Sequence, residues 1–412
     1  MIDSAHSPSA TPVPVDQLEL PTLPDLEEVN DEEYGAIVME IANTSWLAKN
    51  PIGYTALRYD DVVAILRDRR WHSLASRLNE LRGIPEEMSG ESILSAEGDV
   101  HTRLRRLVAK SFSPSAADRL RPFMREVIGE LIDDVASSGR ADIVADICES
   151  YPIPIICELL GAPREDWQKF SKWADEVLGI LDADAIDKLD VIRAAGDELR
   201  EYTLALIAQR RDDPRDDLLS ELIAAEEEGD RLSNDELVTM VNAVILAGTD
   251  TTRNQLACSI AVLAEQPEQW AALAHDPESV PQAVEELMRY LSTVRGTGRF
   301  ASEDIVYRDV LFPAGTPMMI ALASANRDER VFPDPHDLDL MKAPSAHPQL
   351  GFGSGIHYCL GAALARAELQ EALPLLASRL PGLTLAAPVT WKLRTAAIFG
   401  PQELHVTFDP GH

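Results

Sequence analysis

The chain has 412 residues, 45% of them hydrophobic, and 37 lysines and arginines stand against 69 aspartates and glutamates, a formal net charge of −32. This charge argues against nucleic acid or an anionic membrane as a general partner. No stretch approaches 18 consecutive apolar residues, so no membrane-spanning helix is predicted. Residues 1–30 are rich in proline, serine and acid and lack the basic and apolar regions of a signal peptide. We expect them to form a flexible segment ahead of a single domain over residues 31–412.

In chain order, helical periodicity dominates up to about residue 291, and strand-like patterns follow. Helices are predicted over residues 60–68, 101–112, 115–137, 165–180, 189–211, 233–266 and 281–291, with an acidic linker over 182–187. Ser233 and Glu236 match a capping box, which predicts the start of the longest helix. Residues 298–321 and the chain beyond 381 are rich in short strand-like runs. The fold class is therefore mainly α with a small, discontinuous β part.

The four cysteines form neither a Cys-x-x-Cys pair nor a dense framework, so neither a zinc site nor a disulfide scaffold is predicted. Cys148, Cys157 and Cys258 are interpreted as small core residues. Cys359 differs because it follows three closely spaced glycines and precedes a helical stretch, residues 362–369. Glycines let a backbone approach a flat group, and a helix start favours the thiolate. A lone thiolate in a rigid loop suits an axial ligand of haem iron, and the alternative is a structural cysteine beside a turn.

The loop resembles the haem-binding loop of the cytochrome P450 family, whose pattern is Phe-Gly-x-Gly-x-His-x-Cys-x-Gly. Every fixed position is present, as Phe352, Gly353, Gly355, His357, Cys359 and Gly361. Family landmarks appear in order from about residue 50 to residue 405. The resemblance implies a cytochrome P450-like fold, with a long central helix over haem b and the cysteine loop on the proximal side. Phe352 and Gly353 are expected among the haem contacts.

The long helix carries the second motif, since residues 247–252 read Ala-Gly-Thr-Asp-Thr-Thr. A glycine inside a helix costs about 0.5–1 kcal/mol relative to alanine, so something is expected to pack closely against Gly248. The run resembles the oxygen-activating stretch of the family, Ala-Gly-x-(Asp/Glu)-Thr-Thr. The resemblance implies that Ala247 and Gly248 lie over the haem face. It also implies that Thr251 takes part in oxygen activation and that Asp250 relays protons from solvent. A polar kink or a solvated turn is the alternative.

Glu286 and Arg289 are three residues apart, so they share a helical face and can pair. The family has this Glu-x-x-Arg pair buried, joined by an arginine ahead of the haem loop, where this chain has Lys342. A lysine cannot replace the planar fork of arginine. Either Lys342 makes a weaker contact or Arg327 contributes more. We interpret Glu286, Arg289 and Lys342 as structural residues.

A buried haem needs bases near its two propionates, and arginine meets a carboxylate well. His101 and Arg105 are four residues apart, on one helical face. By resemblance these two residues, together with Arg299 and His357, are expected to bind the propionates. Taken singly, each is an ordinary surface base or a core histidine.

The resemblance implies a haem-thiolate monooxygenase that inserts one oxygen atom from O₂ into a hydrophobic small molecule. No Gly-x-Gly-x-x-Gly fingerprint is present, so electrons are expected from a ferredoxin with its NAD(P)H-dependent reductase. The ferredoxin would dock on a basic proximal face formed by Arg103, Arg106, Lys110 and Arg366. Relatives with this layout are typically bacterial and cytoplasmic, and a monomer is expected. The alternatives are a peroxygenase of the same fold, which usually lacks the acid–threonine pair, and a non-catalytic haem sensor or carrier.

The substrate pocket is expected from resemblance to be lined by residues 73–97, 177–191 and 293–296. Val244 on the long helix, Val294, and the turn at Ile398 and Phe399 complete it. These positions are mostly apolar, so a hydrophobic or amphipathic substrate is expected. Arg295 stands out, because an arginine there is able to pair with a carboxylate or phosphate of the substrate. The alternative is that Arg295 points to solvent or to a propionate.

Overall fold

The computed structural model describes residues 11–25, 29, 31–77, 92–181, 185–227, 232–393 and 398–410. Within these residues the α-helices are α1 (Asp31–Thr44), α2 (Tyr59–Arg67), α3 (Gly98–Val108), α4 (Pro114–Ala136), α5 (Pro152–Leu160), α6 (Trp167–Leu178), α7 (Leu189–Asp212), α8 (Leu218–Glu227), α9 (Asn234–Leu263), α10 (Pro267–His275), α11 (Val280–Tyr290), α12 (Leu322–Ala325) and α13 (Ala362–Arg379). Helices predominate, as the sequence predicts.

The strands of the described residues are short and lie in four small sheets. They are β1 (Val13–Pro14), β2 (Leu47–Asn50), β3 (Gly53–Ala56), β4 (Trp71–Ser73), β5 (Arg140–Asp142), β6 (Thr297–Ala301), β7 (Ile305–Tyr307), β8 (Val310–Phe312), β9 (Pro317–Ile320), β10 (Thr384–Leu385), β11 (Thr390–Trp391), β12 (Pro401–Glu403) and β13 (His405–Thr407). The largest sheet has the order β2-β3-β9-β6-β4, and smaller ones have the orders β1-β8-β7, β10-β13-β5 and β11-β12. The antiparallel pairing of β4 with β6 sets Ser73 opposite Arg299, which matters for the site.

The long helix α9 forms the centre of the helical part. Ser233 caps it, because its Oγ accepts a hydrogen bond from the Glu236 N–H at 3.2 Å while Glu236 Oε2 accepts one from the Ser233 N–H at 2.8 Å. The predicted capping box is therefore confirmed. From Leu237 onwards α9 is buried on most of its surface, and it packs against α5, α6, α7 and α13. A helix buried on nearly all sides belongs to the core of a large domain.

The apolar core has a helical part and a sheet part. The helical part surrounds α9 and α13, while the sheet part collects residues such as Trp71 and Phe312 from the strands together with one face of α2. Residues 355–357 form a short 3₁₀ turn just before Cys359 that packs against α2. The cysteine loop is thus held between the sheet part and the start of α13.

Part of the N-terminal segment that the sequence predicts as flexible is packed against the sheets. β1 pairs with β8, Thr22 bridges Lys49, and Val15 and Leu23 are buried. Burial of these apolar side chains, together with the strand pairing, offsets part of the entropy lost when the segment is ordered. The described residues 11–25 therefore belong to the folded domain, and the boundary at residue 30 is wrong for them.

Most of the predicted helices are confirmed within two residues at each end, but the helices predicted over 101–112 and 233–266 and several elements differ. The helix predicted over 101–112 spans Gly98–Val108, and Ser113 then caps α4. Residues 182–184 of the acidic linker lie outside the described residues. The sequence analysis missed α1, α5, α8, α10 and the short α12. No helix in the described part of the chain is both long and apolar enough to cross a membrane.

Candidate haem site

The cysteine loop is closed by backbone hydrogen bonds that its glycines make possible. The Cys359 N–H donates to the Phe352 carbonyl at 2.9 Å, and the Gly353 N–H donates to the Leu350 carbonyl at 2.8 Å. Gly353 and Gly355 have φ angles of 70° and 76°, a conformation that L side chains rarely adopt. A Cβ on Gly355 would also collide with the Leu66 carbonyl of α2. The loop conformation therefore depends on glycine at these positions.

Cys359 keeps a solvent-accessible side, although protein atoms surround the rest of it. Burial raises the pKa of its thiol, while a hydrogen bond from the Gly361 N–H and the charges of Arg105 and Arg366 lower the pKa in part. The sequence argument for a thiolate at a helix start is thus outweighed by desolvation. The thiolate forms when a cation binds the sulfur.

Four bases predicted from the sequence converge beside this loop. The rings of His101 and His357 lie with their centroids 4.5 Å apart, and an Arg105 Nη2 donates to the Tyr358 carbonyl at 2.7 Å. Arg299 is 5% exposed. Its Nη1 donates to the Gly298 carbonyl at 2.8 Å. Desolvation lowers the pKa of both arginines.

Glu97 organises this cluster, and the sequence reading missed it. Its Oε1 accepts hydrogen bonds from the Ser73 N–H at 2.5 Å and from the His357 Nε2 at 3.0 Å, so it joins β4, the start of α3 and the cysteine loop. Burial alone would raise the pKa of this carboxyl, but those two hydrogen bonds lower it overall. Within the described residues one carboxylate thus lies next to four bases, which leaves the cluster suited to a further anion.

An orphaned atom marks where that anion belongs. His101 is 2% exposed, yet its buried Nε2 has no hydrogen-bond partner within the described part of the chain. Burial and the nearby charges of His357 and Arg105 lower the pKa of this imidazole. A buried polar nitrogen without a partner costs free energy, so the position is built for a ligand atom that can pair with it.

The open face of α9 carries two of the predicted residues. Ala247 is exposed and Thr251 is partly exposed, while most of the surrounding helix is buried. The Thr251 hydroxyl donates to the Ala247 carbonyl at 2.9 Å. A residue one turn earlier, Val244, is 6% exposed. This face is where a substrate or small ligand can reach the helix.

Gly248 packs closely against a neighbouring helix on one side. A Cβ added there would collide with the side chain of Ile156 in α5. The close approach of two helices leaves no room for a side chain here, which confirms the expected close packing. Helix α5 was missed in the sequence, so this contact could not be predicted. The expected place of Gly248 over the haem face stays a prediction.

Asp250 is buried inside an ionic network. Its Oδ1 accepts hydrogen bonds from Arg253 Nε at 2.7 Å and from Asn254 Nδ2 at 2.8 Å, and Lys392 Nζ lies 3.6 Å away. Arg253 also pairs with Asp175, whose side chain is 54% exposed. Burial alone would lower the pKa of Arg253, but the two carboxylates raise it. The network leads from the interior of α9 to the surface.

A buried carboxyl connects α9 to the helix that follows the cysteine. Thr252 donates from Oγ1 to Glu368 Oε2 at 3.3 Å. Glu368 is 1% exposed, and its Oε1 has no partner in the described residues. Burial raises the pKa of this carboxyl well above its usual range. The contact fixes the turn of α9 that contains Thr251 relative to α13.

Glu286 and Arg289 form the predicted buried pair. Arg289 donates from Nε to Glu286 Oε2 at 2.7 Å and from Nη2 to Oε1 at 2.6 Å. It donates further to the carbonyls of Asn326, Pro335 and Asp337 at 3.1, 2.7 and 3.1 Å. The Arg289 side chain therefore holds the segment before the cysteine loop through the backbone carbonyls of that segment.

Neither residue proposed as a third member joins this pair. Lys342 donates to the Pro333 carbonyl and forms no ion pair with Glu286 in the described part of the chain. Arg327 Nη2 donates to the Tyr290 carbonyl at 2.8 Å, and its guanidinium lies 4.9 Å from the Tyr290 ring centroid. Lys342 and Arg327 support neighbouring backbone without contacting the Glu286 carboxylate.

The proximal bases are largely neutralised. Arg103 pairs with Glu236, and Lys110 Nζ lies 3.0 Å from Glu221 Oε1. Arg366 pairs with Glu285, and its guanidinium lies 4.4 Å from the centroid of Phe352. Arg106 is exposed and has no ion-pair partner in the residues described. The predicted basic face is therefore much less basic than its sequence suggests.

The predicted pocket residues on the distal side are also brought together. The Phe399 N–H donates to the Thr293 carbonyl at 2.9 Å, and the Arg295 guanidinium carbon lies 3.9 Å from the Phe399 centroid. Val294 and Ile398 are partly buried beside them. Residues 78–91 and 182–184 of the predicted lining lie outside the described residues.

Comparison with known proteins decides the family. The model of the family described as "Cytochrome P450" matches residues 54–380. The chain belongs to the cytochrome P450 family. It is 40% identical over 358 residues to the mycinamicin IV hydroxylase/epoxidase of Micromonospora griseorubida, with 85% of this chain and 88% of that protein covered. It is also 40% identical over 359 residues to the nocardicin C N-oxygenase of Nocardia uniformis subsp. tsuyamanensis, at the same coverages.

Solved structures agree. A myxobacterial cytochrome P450 in complex with myristic acid superposes with a TM-score of 0.81 at 34% identity, covering 91% of this chain and 96% of the other. The protein is thus a cytochrome P450 of the bacterial type and a haem-thiolate monooxygenase that uses O₂. The peroxygenase and the sensor or carrier are not favoured. The residues present fit a haem, because two propionates supply the anions that the base cluster and the orphaned His101 Nε2 require.

Proposed function

We propose that Cys359 is the axial ligand of haem b and that His101, Arg105, Arg299 and His357 hold its propionates. The observation that carries this proposal is the buried, unpartnered His101 Nε2 inside a cluster of bases next to the cysteine loop. Charge-assisted hydrogen bonds to carboxylates are the contacts that such a cluster lacks. When bound, the haem supplies the iron centre at which O₂ is reduced and one oxygen atom is transferred.

Residues of α9 would bind water and transfer protons at this centre. The Thr251 hydroxyl is fixed by its bond to the Ala247 carbonyl, and its oxygen remains able to accept a further hydrogen bond. The contacts to Asp250 described above are made by Oδ1. Oδ2 is then the oxygen that takes up and releases a proton.

Arg253 and Lys392 would position this carboxylate. An arginine keeps its proton in a protein, so Arg253 orients Asp250 and does not itself carry a proton. The exposed Asp175 on the far side of Arg253 places the network at the surface, where water can reach it. Proton uptake through Asp250 thus combines a fixed acceptor with access from solvent.

The substrate would be a hydrophobic or amphipathic small molecule bound between α9 and the Phe399 turn. Electrons would come from a ferredoxin with its NAD(P)H-dependent reductase, and the protein would act as a cytoplasmic monomer. Ferredoxin would dock near Arg106, whose charge is not neutralised by a neighbour, and near the exposed Arg67, which donates to Ser354 Oγ of the cysteine loop at 3.0 Å. The relatives named as a hydroxylase/epoxidase and as an N-oxygenase support oxygen insertion.

The test is spectroscopic. Reduced protein with carbon monoxide is expected to show the red-shifted Soret band of a thiolate-ligated haem. Cys359→His is expected to move this band to the position of histidine-ligated haem and to abolish oxygenation. Cys258→Ser, which changes a buried cysteine at the far end of α9, is the matched control and should leave the band in place. An unchanged band in Cys359→His would disprove the ligand assignment.

A further inference from the structure

The Asp250 carboxylate in α9 is held through one of its two oxygens. Arg253 donates from Nε to Oδ1 at 2.7 Å, and Nη2 of the same guanidinium lies 2.6 Å from Oδ1. Asn254 Nδ2 donates to Oδ1 at 2.8 Å, and Lys392 Nζ lies 3.6 Å from this oxygen. Each of these contacts is made at Oδ1, which leaves Oδ2 as the oxygen able to exchange a proton.

The geometry of Arg253 is unusual for an arginine beside a carboxylate. Such a pair frequently forms a fork, in which two N–H groups bind the two oxygens. Here both nitrogens approach the same oxygen, and Nη2 is at the same time bound to Asp175 of α6. Arg253 is 7% exposed, and its buried Nη1 has no hydrogen-bond partner within the described residues. A buried donor without a partner costs free energy, so Asp175 fixes the guanidinium in an orientation that Asp250 alone would not favour.

Asp175 is held in place by the packing of its helix. The preceding residues Trp173 and Ala174 are 4% and 0% exposed, and α6 packs against α9. The Asp175 side chain itself is 54% exposed. An ion pair with an exposed partner contributes little to stability. The effect of Asp175 on the orientation of Arg253 therefore matters more than its effect on the stability of the fold.

We propose that Asp175 is a positioning residue for proton delivery, because it binds Nη2 of Arg253 and so keeps this group away from Oδ2 of Asp250. This inference rests on the proposed function, since it assumes that Asp250 relays protons. Oδ2 takes a proton from one water molecule and returns it to another, so the carboxylate ends each cycle unchanged. A fork across both oxygens would occupy Oδ2 and stabilise the charged form, and both effects would slow the uptake of a proton.

The test compares Asp175→Asn with wild type as holoenzymes. The crystal structure of the variant is expected to show Arg253 as a fork across both oxygens of Asp250. NADH oxidation, supported by a ferredoxin and its reductase with ethoxycoumarin as the probe, should slow at least about fivefold, a part of the ~10²–10⁴-fold that a positioned acid–base group contributes. The ratio of the rates in ordinary and heavy water should rise, because proton transfer becomes more limiting. Asp175→Glu keeps the carboxylate and should restore most of the rate.

Glu198→Gln is the matched control. Glu198 also binds α6, through Lys172 Nζ at 2.8 Å and Trp173 Nε1 at 3.1 Å, and its side chain is 52% exposed. Because it does not touch Arg253, its replacement should leave the rate and the isotope ratio unchanged. In an Arg253→Lys background, Asp175→Asn should have no further effect, since lysine cannot form the fork.

A crystal structure of Asp175→Asn in which Nη2 of Arg253 stays at Oδ1, or a rate and isotope ratio equal to those of wild type, would overturn the proposal. Equal slowing in Glu198→Gln would also overturn it, because a general disturbance of α6 would then be the cause. Asp250→Asn is measured in parallel. If that variant is as fast as wild type, the relay itself fails, whereas a slow Asp250→Asn beside a fast Asp175→Asn refutes the role of Asp175 alone. The carbon monoxide spectrum of each variant shows separately whether the haem-thiolate site is intact.

Discussion

Replacing Arg289 by lysine tests how the segment before the cysteine loop is held. Arg289 makes five hydrogen bonds, two to Glu286 and three to backbone carbonyls. Lysine keeps the charge but has three donors, so at least two bonds are lost and buried carbonyls lose their partner. At about 1.5 kcal/mol for each lost bond to a charged group, the free energy of unfolding should fall by about 3 kcal/mol.

The assay is urea unfolding of the holoprotein, followed by far-ultraviolet circular dichroism and by the Soret band. Arg215→Lys is the control, because Arg215 pairs with Asp213 on the surface and both side chains are more than half exposed. That change should alter the free energy of unfolding by less than about 0.5 kcal/mol. If Arg289→Lys behaved like Arg215→Lys, the backbone contacts of Arg289 would not stabilise the loop as argued. Earlier loss of the Soret band than of helicity would place the damage at the haem site.

Three further outcomes are expected. Thr251→Ala should keep substrate binding and NADH consumption but divert electrons to hydrogen peroxide, whereas Thr249→Ala, on the buried side of α9, should leave coupling unchanged; equal coupling in both variants would contradict the role of the open face. Arg103 lowers the pKa of Glu236 to about 2, so the advantage of wild type over Glu236→Gln should be full above pH 4.5 and decline as the pH falls towards about 2; because both side chains are partly exposed, the full advantage is about 1 kcal/mol, and urea unfolding at pH 3 and pH 7 checks it. Arg106→Glu should slow reduction by ferredoxin at low salt, with the difference disappearing as salt rises, whereas Arg103→Glu should chiefly lower stability; a stopped-flow rate indifferent to Arg106→Glu would place the docking surface elsewhere.

Local patterns carried the parts of the site that the sequence could predict. The conformation of the cysteine loop follows from glycines at two positive φ angles, and the start of α9 follows from Ser233 and Glu236, three residues apart. The pairing of Glu286 with Arg289 likewise needs only helical spacing. In each case the deciding interaction joins residues only a few positions apart in the sequence, so it can be predicted from the sequence pattern.

Contacts between distant segments could not be predicted in the same way. The close packing at Gly248 was expected, but its neighbour Ile156 lies about 90 residues earlier, in a helix whose two prolines near its start concealed it. The attachment of Glu97 to His357 also joins distant positions. Arg253 was within reach, since it stands three residues after Asp250 on the same helix.

The same limit explains the proximal face. Counting bases on one helix suggested a positive surface, but Glu236 and Glu221 come from other helices and neutralise Arg103 and Lys110. In a chain with 69 acidic and 37 basic side chains, most basic side chains are expected to pair with a carboxylate. A base that instead contacts a carbonyl is therefore informative about its site.

Arg105 and Arg299 are bases of this kind. Arg105 donates to the Tyr358 carbonyl, and Arg299 donates to the Gly298 carbonyl and to the Thr297 hydroxyl, although both lose solvation on burial. Burial of a charge is costly unless it is paired, and a chain so rich in acids could have supplied a carboxylate at either position. Among the described residues Glu97 is the carboxylate that joins this cluster, and the orphaned His101 Nε2 lies in the same cluster. A haem with two propionates explains all three observations at once, because it supplies the missing anions only when it is bound.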